Sequence, residues 1–422
     1  MEQMKQHKKL KFTFVIPDMS WLWDYKSQFS LGILYLSEAL RRVNCEVNIY
    51  DTNINDIKDI PFSDVFCFSV VHPIYINCKE LAKKIKEIYP QSLTIIGGPT
   101  STLRPSMIDK IFDVKFIGQS ENTIRKFVED LRNNKYESTY IENKPVDINE
   151  MLPYREFLSD EYIRTDSIFS HNEKFSEGGS TSIMFSRGCP FNCTFCCSVN
   201  LYKRRVNFRS IDSIKKEIEY IIATYGIRQF RVQDDTFTIN KTFFRKLAKM
   251  LEELNIYYRC STRIDTLDEE TVDLLYKSGC REVGLGIEVA DNEVLKLLDK
   301  GITVEKAKEA ISLLRKYPIF LRQFFMMGLP YDSYKTIQAN IDFIEETKPD
   351  TATVCNFIPF PGSEIGDNIE KYNIKRVKDV TCMNIAQHLE LTPNIIRNDI
   401  TEKEHIAIMD VFYQYLVKKG YV

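Results

Sequence analysis

From Lys11 the chain alternates short, continuously apolar runs with longer stretches of helical period. KFTFVIP, EVNIYD, DVFCFSVV, LTIIGGP and VKFIGQSE read as strands, and LGILYLSEALRRV, CKELAKKIKEIYP and TIRKFVEDL read as helices. Continuous apolar strands separated by helices predict a parallel sheet covered on both faces, so residues 1–131 read as a doubly wound α/β domain of Rossmann type. Ligands of such sheets sit at the carboxyl ends of the strands. Those ends carry Pro17, Asp51, Ser69, Gly97-Gly98 and Gly118. Residues 132–180 are polar and irregular and read as a linker, with a short helix near Tyr154–Tyr162.

From Thr181 the alternation resumes. TSIMFS, QFRVQ, YYRCS, EVGLGIE, FLRQFFMMG and TATVCNFIP are the strands, with helices around 210–225, 241–255, 268–279, 304–316 and 334–347. Six strand–helix units over residues 181–364 predict a partial (β/α)6 TIM-type barrel. Its strand ends carry Cys189–Cys196, Asp234-Asp235, Arg263, Glu288, Gly328 and Pro359-Phe360-Pro361. Residues 365–422 read as a small, mostly helical segment packed over the barrel.

Composition narrows the setting. The 422 residues are too many for one ordinary core. A net charge of -2 gives no sign of nucleic acid or an anionic membrane as a main partner. The basic start MEQMKQHKKLKFTFVIP has too short an apolar run for a signal peptide, and no run approaches the ~20 residues that span a bilayer. The expected location is the cytoplasm. Eleven cysteines in a reducing compartment do not read as a disulfide framework. Cys67, Cys260, Cys280 and Cys355 lie in or beside apolar runs, where a free thiol packs as a small hydrophobe.

The exception is SRGCPFNCTFCC, Ser186 to Cys197. Cys189, Cys193 and Cys196 form C-x3-C-x2-C on the loop after the first strand of the second half. Thiolates bind soft metals, and a four-iron cube takes one ligand per iron. Three cysteines on a short loop would reach three corners and leave the fourth iron open to a small chelating molecule. Structural zinc wants four protein ligands. Cys197 is the nearest fourth, but adjacent side chains point apart. Spacing alone leaves both metals open.

The pattern resembles the signature of the radical S-adenosylmethionine (SAM) superfamily. FRVQDDTFTIN, the long block from Cys260 to Thr303, FFMMGLPYDSYKTIQANIDFIEETKPD and FIPFPGSEI resemble successive blocks of its core, in order over residues 180–365. The resemblance implies that Cys189, Cys193 and Cys196 hold a four-iron ([4Fe-4S]) cluster whose open iron chelates SAM. One electron then cleaves SAM to methionine and a 5′-deoxyadenosyl radical. It implies SAM contacts for Phe195, against the adenine, for Asp234-Asp235, where many relatives have Gly-Gly-Glu, and for Arg263 and Glu288. A salt bridge across the barrel mouth is the structural alternative for Arg263 and Glu288, and a solvated turn for the Asp pair. Cys197 lies outside the pattern and reads as packing.

The first half resembles the cobalamin-binding domain placed before many such cores. SVV from Ser69, GGPT (Gly97, Gly98, Pro99, Thr100) and GQSE (Gly118 to Glu121) stand where that domain surrounds the nucleotide tail and lower corrin face. The Asp-x-His-x-x-Gly segment that supplies a cobalt ligand should follow VNIYD. DTNIND stands there instead, with Asn53 at the histidine position, and His72 lies just past Ser69. The resemblance therefore implies a cobalamin-dependent radical SAM methyltransferase acting on an unactivated carbon of a small metabolite or peptide. The electron donor would be a flavodoxin or ferredoxin. The alternative is the same radical without methyl transfer: dehydration, rearrangement, cyclisation or epimerisation. A methylthiotransferase fits less well: its extra cluster cysteines would stand on loops, whereas Cys45 and Cys67 read as embedded in elements, and the tail after 365 is too short and helical for the small RNA-binding barrel that would follow. A non-catalytic iron–sulfur sensor does not explain the SAM blocks.

Overall fold

The computed structural model describes residues 9–19, 26, 29–149, 151–163, 179–378 and 391–421. It divides into two compact units, Met1–Ile163 and Arg164–Val422.

The first unit is built on six parallel strands: β1 (Lys11–Ile16), β2 (Glu46–Asp51), β3 (Val65–Ser69), β4 (Leu93–Gly97), β5 (Val114–Ile117) and β6 (Thr139–Ile141). Their order is β2-β1-β3-β4-β5-β6, so the winding reverses between β1 and β3. Crevices at such switch points are where open α/β sheets bind ligands. β1 is buried at every position but Lys11, as a central strand covered on both sides requires. Val15, Phe66, Phe68, Val70, Ile74 and Ile96 pack in one buried cluster. Each large side chain there contributes roughly 1.5–3 kcal/mol by leaving water.

β6 lies inside the stretch read as a linker. Its polar flanks hide it, and Tyr140 makes it. That ring stacks on Phe116 at 5.4 Å and its hydroxyl donates to Asp130 at 2.8 Å. Val146, Ile148 and Met151 are buried beyond it, so this part of the stretch is a piece of the first unit rather than a connector. The expected helix near Tyr154–Tyr162 is the single turn Asp160–Ile163. The rest of the linker, 164–178, lies outside the described residues.

The second unit opens with β7 (Ser180–Ile183), followed by the short antiparallel pair β8 (Ser186–Arg187) and β9 (Asn207–Phe208). Then come β10 (Gln229–Val232), β11 (Tyr257–Thr262), β12 (Cys280–Glu288), β13 (Phe320–Met327) and β14 (Thr351–Asn356). The parallel sheet runs β14-β13-β12-β11-β10-β7, in chain order and open between β7 and β14. The helices between them start where a side chain can accept a backbone N–H, at Ser210, Asn240, Asp268, Thr303 and Ser333.

Burial alternates along β11, β13 and β14. One set of side chains is buried; the other, including Ser261, Met326 and Thr353, stays half-buried or exposed. One face of this sheet is therefore open, as the inner face of a partial barrel must be to admit a ligand. Cys355, read as a packed thiol, belongs to that set and is exposed, whereas Cys67, Cys260 and Cys280 are buried. The closing segment is less helical than its composition suggests. β15 (Ile374–Val377) pairs antiparallel with β16 (Ile395–Arg397) before the helix Glu402–Lys419, whose Phe412 packs on Phe325 of β13.

Candidate active site

The cysteine loop leaves the sheet at β7. β8 and β9 close its base, and Gly188 turns the chain at φ +98°. A Cβ at Gly188 would lie 2.1 Å from the Arg205 carbonyl oxygen, so no other residue fits this close crossing. The Cys196 amide donates to the Cys193 carbonyl at 3.0 Å, folding the two thiols onto one turn. Thr194 pins that turn twice, donating to Leu298 O at 2.9 Å and accepting from the Ile365 amide at 3.0 Å. Cys193 is buried; Cys189, Cys196 and Cys197 are half-buried. Burial pushes the Cys193 and Cys196 thiols up, and Cys197 to about 11. Lys300 and Arg263 pull Cys193 back down.

Arg263 follows β11. Its Nη1 lies 3.3 Å from Cys193 Sγ, while Nε and Nη2 hold the Asp265 carboxylate at 2.9 and 3.0 Å. Glu288 ends β12 at φ +65°, where the register with β13 shifts. That left-handed residue points its carboxylate at Lys300 Nζ, 2.6 Å away. A Cβ at Gly286 would lie 2.5 Å from Glu288 Oε1, so the pair sits directly on this glycine. Lys300 also lies 5.7 Å from the ring of Phe195. Arg263 and Glu288 thus each carry a salt bridge, and both pairs stand beside the cysteine loop.

The aspartate pair faces the same loop. Asp234 is fully enclosed and accepts from the Phe185 amide at 2.8 Å and the Ser186 hydroxyl at 2.6 Å. Burial pushes its carboxyl up to about 7. Asp235 is exposed and accepts from the Gly188 amide and the Ser198 hydroxyl, both at 2.9 Å. Thr236 places its hydroxyl 3.5 Å from Cys189 Sγ. Phe195, Arg263 and Glu288 gather near Cys193, and Asp235 near Cys189; Asp234 is turned into the protein. Sequence reading missed Lys300 and Thr236. Lys300 lies in LLDKGIT, inside a block already quoted, but a lone lysine there gives no sign of being buried. A cleft of about 670 Å³ opens beside the loop, lined by Cys193, Cys196, Lys203, Arg204, Asp299 and Tyr372 among others.

Among the described residues, no three Cys, His, Asp or Glu side chains converge as ligands of one metal ion. The thiols instead neighbour one another in series: Cys196 is coupled electrostatically to both Cys189 and Cys193. Soft donors spread over a turn, with two cations beside them, suit a multi-iron anion better than one zinc.

In the first unit the strand ends are built from backbone. Gly98 has φ +94°, and a Cβ there would lie 2.8 Å from the Val70 amide nitrogen. Pro99 opens the short helix Pro99–Leu103, and Thr100 is buried with no hydrogen-bond partner for its hydroxyl among the described residues. Gly118 has φ +89°, and a Cβ would lie 2.1 Å from the Glu142 carbonyl oxygen. Glu121, buried, starts the helix Glu121–Arg132. A narrow, largely apolar cavity of about 40 Å³ runs in at Ser69, Gly97, Gly98 and Ser120, reaching Phe14 and Cys67. Asn53 stands beside it in sequence terms only. Its Oδ1 accepts from the Met19 amide at 2.7 Å, and its Nδ2 donates to Pro17 O at 3.0 Å and Asp51 Oδ1 at 2.6 Å. His72 begins a single 3-10 turn after β3.

Residues 183–344 match the family model of the radical SAM superfamily. The second unit therefore carries a radical SAM domain over those residues. The chain is 24% identical to an uncharacterized methyltransferase of Pyrococcus horikoshii, PH0819, over 91% of this chain and 94% of that one. It is 29% identical to the anaerobic magnesium-protoporphyrin IX monomethyl ester cyclase of Rubrivivax gelatinosus, over 47% of this chain and only 37% of that one. The fold matches TsrM of Kitasatospora setae, a radical SAM methyltransferase solved with cobalamin and a [4Fe-4S] cluster bound. The TM-score is 0.66 at 16% identity, covering 87% of this chain and 76% of that one. Among the described residues no helix is long and apolar enough to cross a membrane.

Proposed function

We propose that this is a cobalamin-dependent radical SAM enzyme that methylates an unactivated carbon of a small metabolite or peptide. One observation carries the reading: a single chain carries both a three-thiol loop flanked by Arg263 and Lys300 and a second parallel sheet whose ends at Ser69, Gly97 and Gly98 open on a narrow apolar slot. With these groups bound, one electron and SAM would give methionine and a 5′-deoxyadenosyl radical able to remove a substrate hydrogen, and cobalamin would supply the methyl group.

Cys189, Cys193 and Cys196 would hold a four-iron cluster through three soft anionic donors, and such a cluster would supply an iron able to bind SAM. Arg263 and Lys300 offset that negative charge on the Cys193 side. The open face of the sheet, with Ser261, Met326 and Thr353, offers a surface for SAM and substrate. In the first unit, Ser69, Gly97 and Gly98 line the slot, and with Pro99, Thr100, Gly118 and Glu121 at the neighbouring strand and helix ends they would hold the nucleotide tail. Asn53 has both ends of its amide engaged and gives cobalt no lower ligand.

The match to the Rubrivivax cyclase favours a second reading, the same radical without methyl transfer. An anaerobic assay of the reconstituted protein with SAM and a low-potential donor, flavodoxin or ferredoxin, separates them. Methyl transfer gives 5′-deoxyadenosine and S-adenosylhomocysteine together. 5′-Deoxyadenosine alone, with a candidate substrate consumed, moves the assignment to the second reading. Neither product in reduced, iron-loaded protein rejects both.

A further inference from the structure

Two buried cations flank one thiol of the loop. Arg263 is 5% exposed, and its guanidinium is held from every side. Asp265 takes Nε and Nη2, the Lys300 carbonyl takes Nη2 as well, and Nη1 points at Cys193 Sγ from 3.3 Å. The ring of Phe191 supports its plane from 3.6 Å. A guanidinium fixed in this way cannot swing to a SAM carboxylate without giving up the Asp265 pair. Lys300, 6% exposed, adds a second positive charge.

We propose that Arg263 sets the reduction potential of the cluster through Cys193, and that Asp265 decides how much of the guanidinium charge the sulfur feels. The inference rests on the four-iron reading of Cys189, Cys193 and Cys196. Reduction adds one electron to an already anionic group. An N–H donor and a fixed cation at a ligating sulfur stabilise the reduced state more than the oxidised one. Burial keeps water and salt from screening that effect. Asp265, bonded to the same guanidinium, works against it. Arg263 is thus a tuning residue, acting on the electron through a ligand.

The test is an anaerobic redox titration of the reconstituted full chain without SAM, followed by electron paramagnetic resonance. Arg263→Gln should lower the midpoint potential by about one tenfold step in the redox equilibrium, 59 mV for one electron. Asp265→Asn should raise it, and Arg263→Lys should fall between Gln and wild type. General disturbance of the loop would not produce shifts of opposite sign. If Arg263→Gln does not retain a cluster, Phe191→Leu, which loosens the guanidinium, should give a smaller negative shift against the positive shift of Asp265→Asn. Shifts of the same sign, or none, overturn the proposal. So does SAM binding weakened tenfold or more in Arg263→Gln at an unchanged potential, which would return Arg263 to the SAM carboxylate. Wild-type protein that shows no reducible four-iron signal refutes the cluster reading itself, and is recognised before any variant is made.

Discussion

At the strand ends of the first sheet, Gly98 and Gly118 hold left-handed backbone against the Val70 amide and the Glu142 carbonyl, and Gly98 also lines a slot with largely apolar walls. At the strand ends of the second sheet, Asp235 and Arg263 bond to the cysteine loop, and Glu288 pairs with Lys300. The first site is shaped by close backbone approach, and the second by charge. The difference follows from the ligands proposed for each. A large ring with a nucleotide tail is gripped by shape and by backbone polar groups. A small anionic cluster and a zwitterionic sulfonium are held by thiolates and counter-charges.

The contrast breaks most completely at the cysteines. Replacing Cys189, Cys193 or Cys196 by alanine should abolish the cluster, while Cys197→Ala should leave iron content near wild type. Iron and sulfide analysis after anaerobic reconstitution checks this. Loss of iron in Cys197→Ala, with any one of the other three retaining it, would overturn the ligand set.

A smaller but still severe effect is expected from Gly118→Ala. It forces a side chain into a left-handed conformation and against a backbone oxygen that cannot move aside. The cost should be roughly 3 kcal/mol or more to the first unit. Cobalamin retained after gel filtration should fall while iron content stays level. If cobalt and iron fall together, the two regions are not the separable sites described above.

The sequence shows the two regions unequally, for the same reason that they differ. Alternating apolar runs announce every strand of both sheets except β6. That strand has three residues, and only Tyr140 is buried, so its signal comes from a partner, Phe116, far along the chain. The three cysteines are visible because their spacing is local. Lys300 and Asp265 are not. Each looks like an ordinary surface charge until the fold brings it to Arg263 or Glu288. Arg263 and Glu288 stand at strand ends, where the alternation of the sequence places them, but their partners are hidden from it, because hydrogen-bond direction is a tertiary property. Cys355 shows the same limit: an apolar strand predicts packing, and only the open face of the sheet leaves its thiol exposed.

The smallest effect bears on what the charges of the second site are for, and Asp235 is the residue that sharpens it. Its two oxygens accept from the residues just before and just after the cysteines, Gly188 N–H and Ser198 Oγ–H. Resemblance to the family points the same carboxylate at the SAM ammonium. The two roles separate in Asp235→Asn. An asparagine Oδ1 still accepts from Gly188, and Nδ2 donates to the Ser198 hydroxyl, which can accept as well as donate. The loop would therefore stay closed while the negative charge is lost. Asp235→Ala loses both bonds. Because Asp235 is exposed, water replaces them in part, and the expected cost is about 1 kcal/mol, the net worth of an ordinary hydrogen bond and below the range for bonds to a charged group. We expect iron to be lost to a chelator roughly threefold to tenfold faster in Asp235→Ala, and at the wild-type rate in Asp235→Asn. SAM affinity measured on the same iron-loaded proteins completes the experiment. If Asp235→Asn keeps its iron but binds SAM at least tenfold more weakly, the hydrogen bonds of Asp235 serve the loop and its negative charge serves SAM, so charge at this position acts on SAM rather than on the thiolates that would hold the cluster.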